Sequence, residues 1–375
     1  MITRFYVDNY KCLVNFEYKP KSMELIVGGN GSGKSTIFEA LGCIKEFVLN
    51  KKTVDETFPG RSLTRWQTRE KIEFVLEILS EQEVYKYELS VKQGEFVSSF
   101  ATEVLWKNDK KIIESQFFLE DPFAEEDDPF ADSYLDVNIQ LTNGPREFRV
   151  SDTQRSVLGF YAPQFKSALQ NIFLVKMQPS AMFSSMKTSQ RHPSRSFANF
   201  PAYYFHLLQE KQNLIFDLIP VLRENIEGFR SFVLEERGSE ARQLRVDFAV
   251  EGGKKGQTIR YDFTELSDGQ RALISLYTLA FCESGSTLLI DEPENFISSR
   301  ELQPWLMLLR ERIEDFGGQA ILISHHPEFI NVLAPQDAIQ FRRKDGGPVM
   351  IRPFETAPYQ GLTPAEIVAR GWENE

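Results

Sequence analysis

An α/β fold with a buried parallel sheet, a β-meander lobe and a helical arm is what this 375-residue sequence predicts, on three observations. A strand-like stretch, MELIVG, runs into the glycine-rich loop GGNGSGKST (28–36), and an apolar-periodic helix follows. Residues 71–150 alternate apolar and polar positions, the period of half-buried strands. After residue 243, short apolar runs alternate with helical stretches, the pattern that buries a parallel sheet between helices.

Taken in order, ITRFYV, FEYK and MELIVG read as short strands. The helix after the loop puts Ile37, Leu41, Ile44 and Val48 on one face. Residues 51–69 are polar and carry arginines, and predict a loop. KIEFVLEIL, VYKYELSV, EVLWKN, LDVNIQL and REFRVS then predict a β-meander, interrupted by an acidic insert at 119–136. A helix leads to the apolar strand NIFLVK, followed by a loop rich in serine and basic residues. Residues 198–236 predict a helical arm; without sustained heptads, it is no long coiled coil. Two strands, a helix at 269–283, the strand STLLID, a helix at 300–316, the strand QAILIS, a short helix and closing strands complete the chain. The expected organisation is 1–50 with 243–375 as one domain, a β-rich lobe at 51–150, and a helical arm with its basic loop at 151–242.

Composition narrows the class. Hydrophobic residues make up 42% and charged residues 26%, the balance of a globular domain, and 31 Phe point to well-filled cores. Cys12, Cys43 and Cys282 lie far apart, an odd set that suits a reducing compartment. MITRFYVDNYK has no apolar h-region and no run approaches a membrane span, so a cytoplasmic location is expected. The net charge of −11 argues at first against nucleic acid. Eight of those negative charges sit in LEDPFAEEDDPFADSYLD, however, so a local basic groove stays open. That insert holds DPFA twice, which reads as a duplicated solvated loop or as a tether offering Phe123 and Phe130 to a partner.

Three segments carry chemistry. GGNGSGKS fits G-x-x-x-x-G-K-[ST] through Gly28, Gly33, Lys34 and Ser35, between a strand and a helix as the motif requires. Backbone N–H groups of Asn30, Gly31 and their neighbours would face phosphates at the positive helix end; Lys34 adds charge, and the hydroxyl of Ser35, beside Thr36, can ligate Mg²⁺. TLLIDEP ends a buried strand in Asp291, suited to Mg²⁺, and Glu292, suited to a general base acting on water. ILISHHPEF sets His325 and His326 at another strand end, where His325 would sense a γ-phosphate. Finally, LSDGQR opens an apolar helix, so Ser267 and the N–H groups of Gly269 and Gln270 would form either an anion site or a simple cap.

The order of these segments resembles an ABC-type ATPase head, and closest the SMC/RecF-like AAA-type ATP-binding proteins of bacterial defence and toxin–antitoxin operons. YVDNYKCLVNFEY, VGGNGSGKST, LSDGQRALISLY, LLIDEPENF, ISHHPEFINVL and LTPAEIVARGW carry the resemblance at both ends of the chain. It implies an ABC-type P-loop head with the β-meander lobe and a short helical arm inserted between Walker A and the signature. It further implies that Ser267, Asp268, Gly269 and Gln270 contact the γ-phosphate of ATP held by a facing protomer, so that a homodimer sandwiches two ATP. Gln178, after NIFLVKM, is the Q-loop candidate, with an unremarkable loop glutamine as the equal alternative. Where relatives continue with a Gly-Leu-His-Pro-like turn, this chain reads FISSRE, so only Glu294 and Asn295 carry over there. Relatives that cut nucleic acid have a nuclease domain after the head; about fifty residues after His325, without clustered acids, do not suggest one.

The resemblance implies a Mg²⁺-dependent ATPase, with ATP preferred over GTP, that gates a separate effector protein in bacterial defence. The alternative is a RecF-like repair ATPase on duplex DNA, gripping phosphates through Lys187, Arg191 and Arg195; a third reading is a scaffold that binds ATP without hydrolysing it.

Overall fold

The computed structural model describes residues 1–50, 52–92, 100–119, 133–141, 144–150, 155–238, 241–250, 257–355 and 361–371. The DPFA repeat, with Phe123 and Phe130, lies outside the described residues. The chain divides into two compact units: Met1–Lys21, Gly28–Ile172 and Gln340–Arg352 form the first, and Ser22–Val27, Phe173–Ile339 and Pro353–Glu375 the second.

The first unit is built on an eight-stranded antiparallel sheet. The predicted alternation is met: Lys71–Ser80 buries Ile72, Phe74, Leu76 and Ile78 on one face. Strand follows strand as a meander from there to Gly144–Val150, with Lys110–Leu119 as a member the pattern did not predict. The N-terminal strand Ile2–Asp8 joins the same sheet, pairing Phe5 with Leu76 and Val7 with Phe74. Beside it, the helix Lys34–Asn50 buries the face that its period selected, Ile37, Leu41, Ile44 and Val48. Aromatic contacts link helix to sheet through Phe47, Phe58 and Phe74, with ring centroids 5.5–5.9 Å apart, the first pair edge-on and the second tilted.

Among the described residues of this unit, the carboxylate of Glu103 is fully buried. Glu103 accepts hydrogen bonds from the Tyr87 hydroxyl, the Ser156 hydroxyl and the Val157 N–H, each at 2.7 Å. Burial pushes its pKa up against those donors, and the satisfied lone pairs are what make the site tolerable.

The second unit holds the strands Ile172–Val175 (from Phe173 on), Thr287–Asp291, Gln319–Ile323 and Met23–Val27, in that spatial order. The last three are parallel and wholly buried, which is why they read as mostly apolar runs. The helix Asp268–Cys282 is buried from Arg271 onward, so its sequence shows no polar face. A four-stranded sheet with Phe229–Arg237 and Ala241–Ala249 at its heart packs with the helices Phe200–Glu210 and Gln212–Asn225. Here the expected helical stretch 198–236 is corrected: helix ends at Asn225. Gly228 takes φ +77°, a value that breaks a helix at little cost only for glycine, and FRSFVLEER continues as a strand. No helix among the described residues is long and apolar enough to cross a membrane.

Candidate nucleotide site

In the first unit the loop 28–35 has the backbone of a phosphate cradle. Gly28 and Gly33 take φ of +146° and +96°, values that L side chains rarely adopt. Neither position has room for a side chain. A Cβ on Gly28 would collide with the Phe341 carbonyl oxygen, and one on Gly33 with the Val349 side chain. Lys34 is buried, and its ammonium donates to the carbonyl oxygens of Gly28 and Gly29 at 2.7 and 3.0 Å. Ser35 and Asn30 are exposed and Thr36 is half-buried, where its N–H closes a turn onto Gly33. Gly31 is fastened from outside by Arg343, which donates to its carbonyl oxygen at 3.1 Å. Such a cradle at the start of a 17-residue helix is a fit for anionic phosphate.

In the second unit Asp291 ends a fully buried strand and is itself 2% exposed. Its Oδ1 is buried without a hydrogen-bond partner, a costly arrangement for a carboxylate unless something cationic comes to it. Glu292, next along, sits at φ +54°, an uncommon conformation for a residue with a side chain. Its N–H is bonded to the Ile323 carbonyl at 2.8 Å, which fixes the turn against the neighbouring strand. Burial raises the Glu292 carboxyl, but the Lys176 ammonium, the Asn295 amide and His325 outweigh it and hold the group below the usual range.

The sequence by itself does not single out the cation that reaches both acids. Lys176 follows the strand Ile172–Val175, and its Nζ stands 3.1 Å from Asp291 Oδ2 and 3.0 Å from Glu292 Oε2. A lysine closing the apolar run NIFLV was the available signal, but nothing local says what it meets 115 residues later. Gln178, two residues further on, is exposed, and its backbone N–H bonds Ser196.

The two adjacent histidines have different surroundings. His326 caps the helix Pro327–Asp337, its Nδ1 accepting from the Glu328 N–H, while Nε2 lies 3.1 Å from the Ser299 hydroxyl. His325 is exposed, with its N–H on Glu294 Oε1. Glu294 also accepts from the Ser324 hydroxyl at 2.8 Å, and burial raises its pKa. Asn295 donates to Glu292 Oε2 at 3.2 Å, so the DEPEN turn is knitted to itself and to the strand end carrying His325.

The LSDGQR turn forms a capping box. Ser267 Oγ accepts from the Gln270 N–H at 3.2 Å, and Gln270 Oε1 accepts from the Ser267 N–H at 3.0 Å. Asp268 pairs with Arg271, and Ser267 is exposed at the helix end. Gly269 packs on the Phe296 carbonyl, which ties this turn to the loop after DEPEN. The three expected basic residues Lys187, Arg191 and Arg195 are exposed.

A glycine-lined phosphate cradle opening a helix, together with a buried strand ending in Asp-Glu, defines a P-loop nucleotide-binding protein of mixed α/β fold. Residues 25–331 match the family model described as "AAA domain, putative AbiEii toxin, Type IV TA system", and the chain belongs to that family. Among solved structures, it is similar to the SMC head domain from Thermotoga maritima at 14% identity and a TM-score of 0.48, covering 95% of this chain and 99% of that one. No curated protein matches in sequence.

Proposed function

We propose that this protein is an ABC-type ATPase that hydrolyses ATP as a homodimer and gates a separate effector protein in bacterial defence. The observation that carries the reading is the Asp291–Glu292 pair at the end of a buried parallel strand, in the same unit as the exposed Ser267 turn.

The residues divide the work by their chemistry. The loop N–H groups and Lys34 bind the phosphates. Ser35 and Asp291 each offer an oxygen suited to Mg²⁺, the Asp291 oxygen being buried without a hydrogen-bond partner, and the ion would neutralise phosphate charge when bound. Glu292 accepts a proton from the attacking water, and His325 donates a hydrogen bond to the γ-phosphate. Ser267 and the N–H groups behind it bind the γ-phosphate held by a second copy, which makes turnover depend on dimerisation. The family's description as a type IV toxin–antitoxin protein supports a partner encoded alongside it.

Glu292→Gln tests this directly, because it removes the proton acceptor and keeps the shape. With Mg²⁺ and ATP the variant should elute as a dimer and, expressed with its chromosomal neighbours, retain one of them in stoichiometric amount after nuclease treatment. A variant that stays monomeric while binding ATP defeats the sandwich. Nucleic acid as the sole companion would favour duplex-DNA repair, a reading that the exposed Lys187, Arg191 and Arg195 support.

A further inference from the structure

We infer that Lys176 is a built-in counter-cation of the Asp291–Glu292 pair, competing with Mg²⁺ for these carboxylates and giving way when the metal binds. The inference rests on the nucleotide-binding reading above. Its ground is the geometry of one ammonium between two adjacent acids, at 3.1 and 3.0 Å.

Asp291's side chain is 1% exposed, so an uncompensated charge there is expensive, and Lys176 is the cation that compensates it. Lys176 itself is 38% exposed. It is a compact point charge on a flexible four-carbon stem that already reaches solvent along part of its length. The lysine engages only one oxygen of Asp291; the other, Oδ1, is buried and lacks a partner. A divalent ion taking up that oxygen would stand close to the ammonium, and like charges at such range repel by several RT even at the effective dielectric of a protein surface. The backbone of Lys176 is meanwhile anchored, its N–H on the Arg195 carbonyl at 2.8 Å. Exchange therefore needs a side-chain rotation and no movement of the strand.

The exchange gives the site two conditions, one partly compensated by the internal cation and one held by the metal. It also links metal occupancy to the loop that carries Gln178 and Arg195. Nothing in the local sequence around TLLIDEP signals this competitor.

The test compares wild type, Lys176→Gln and Lys176→Arg in the full chain. Binding of a fluorescent ATP analogue is titrated against MgCl₂, and thermal unfolding is followed in MgCl₂ alone. Lys176→Gln should reach half-maximal binding at about tenfold lower Mg²⁺. It should melt lower than wild type without metal, and recover more on adding it. Lys176→Arg, which keeps the charge, should track wild type. An unchanged or higher Mg²⁺ midpoint in Lys176→Gln overturns the inference. So does a Gln variant that is unfolded and not restored by MgCl₂, since that marks a structural tie. If wild type binds no nucleotide, the functional proposal fails on its own, and the response to MgCl₂ alone still decides the role of Lys176.

Discussion

Gly269 and Phe296 meet so closely that a Cβ on the glycine would lie 2.7 Å from the phenylalanine carbonyl oxygen. Phe296 itself sits at φ +75°, a strained value for a bulky residue. The turn that opens the helix Asp268–Cys282 and the loop that follows Asp291 and Glu292 are thus packed backbone to backbone.

Gly269→Ala should therefore act on both segments. Overpacking of this kind costs about 1–3 kcal/mol, visible in denaturant unfolding. ATP turnover should fall further than that loss of stability explains, because the displaced loop carries Asn295, which holds Glu292. Turnover unchanged in a correctly folded variant would mean that the contact is packing alone.

Ser267 separates capping from phosphate binding. Asp caps helices as well as Ser does, so Ser267→Asp should unfold within about 0.5 kcal/mol of wild type. It places a negative charge where the proposed mechanism needs a phosphate. Turnover should drop at least tenfold, with nucleotide binding to the loop 28–35 retained. Retained turnover would leave the capping box as the whole purpose of the turn.

Lys45 gives a pH dependence with a definite sign. It is held in the first unit with its ammonium on the Ile172 carbonyl, and burial lowers its pKa from 10.5 to about 8. Between those values the unfolded chain binds more protons than the folded one, so stability rises with pH. Compared with Lys45→Met, which cannot titrate, wild type should gain about 3 kcal/mol between pH 7 and pH 10.5. Chemical denaturation of both proteins across that range checks the difference; parallel curves would show Lys45 to be solvated.

Much of the candidate site was legible because its demands are local. Gly28, Gly33, Lys34 and Ser35 lie within one turn of chain, and a phosphate cradle needs those residue types at that spacing whatever surrounds them. The buried strand ending in Asp291 was equally readable, since the apolar run of Leu288, Leu289 and Ile290 before two acids states burial and its end together. The helix face of Ile37, Leu41, Ile44 and Val48 followed from periodicity alone. His325 and His326 were visible as a pair, but their surroundings were not. One caps a helix and meets Ser299, and only packing of the helix Ser299–Phe316 brings that serine near.

Local sequence thus determined the phosphate loop, the acidic strand end, the capped turn and the alternating strands, because each is set by backbone conformation and side-chain period within a few residues. Tertiary structure alone decided that Ile2–Asp8 joins the meander beside Lys71–Ser80, that Phe229–Arg237 is a strand, that Gly269 must be bare against Phe296, and that Lys176 bridges Asp291 and Glu292. Those outcomes depend on contacts between segments far apart in the chain. Their energies arise only once burial has removed water from the groups that meet, and no local pattern records that.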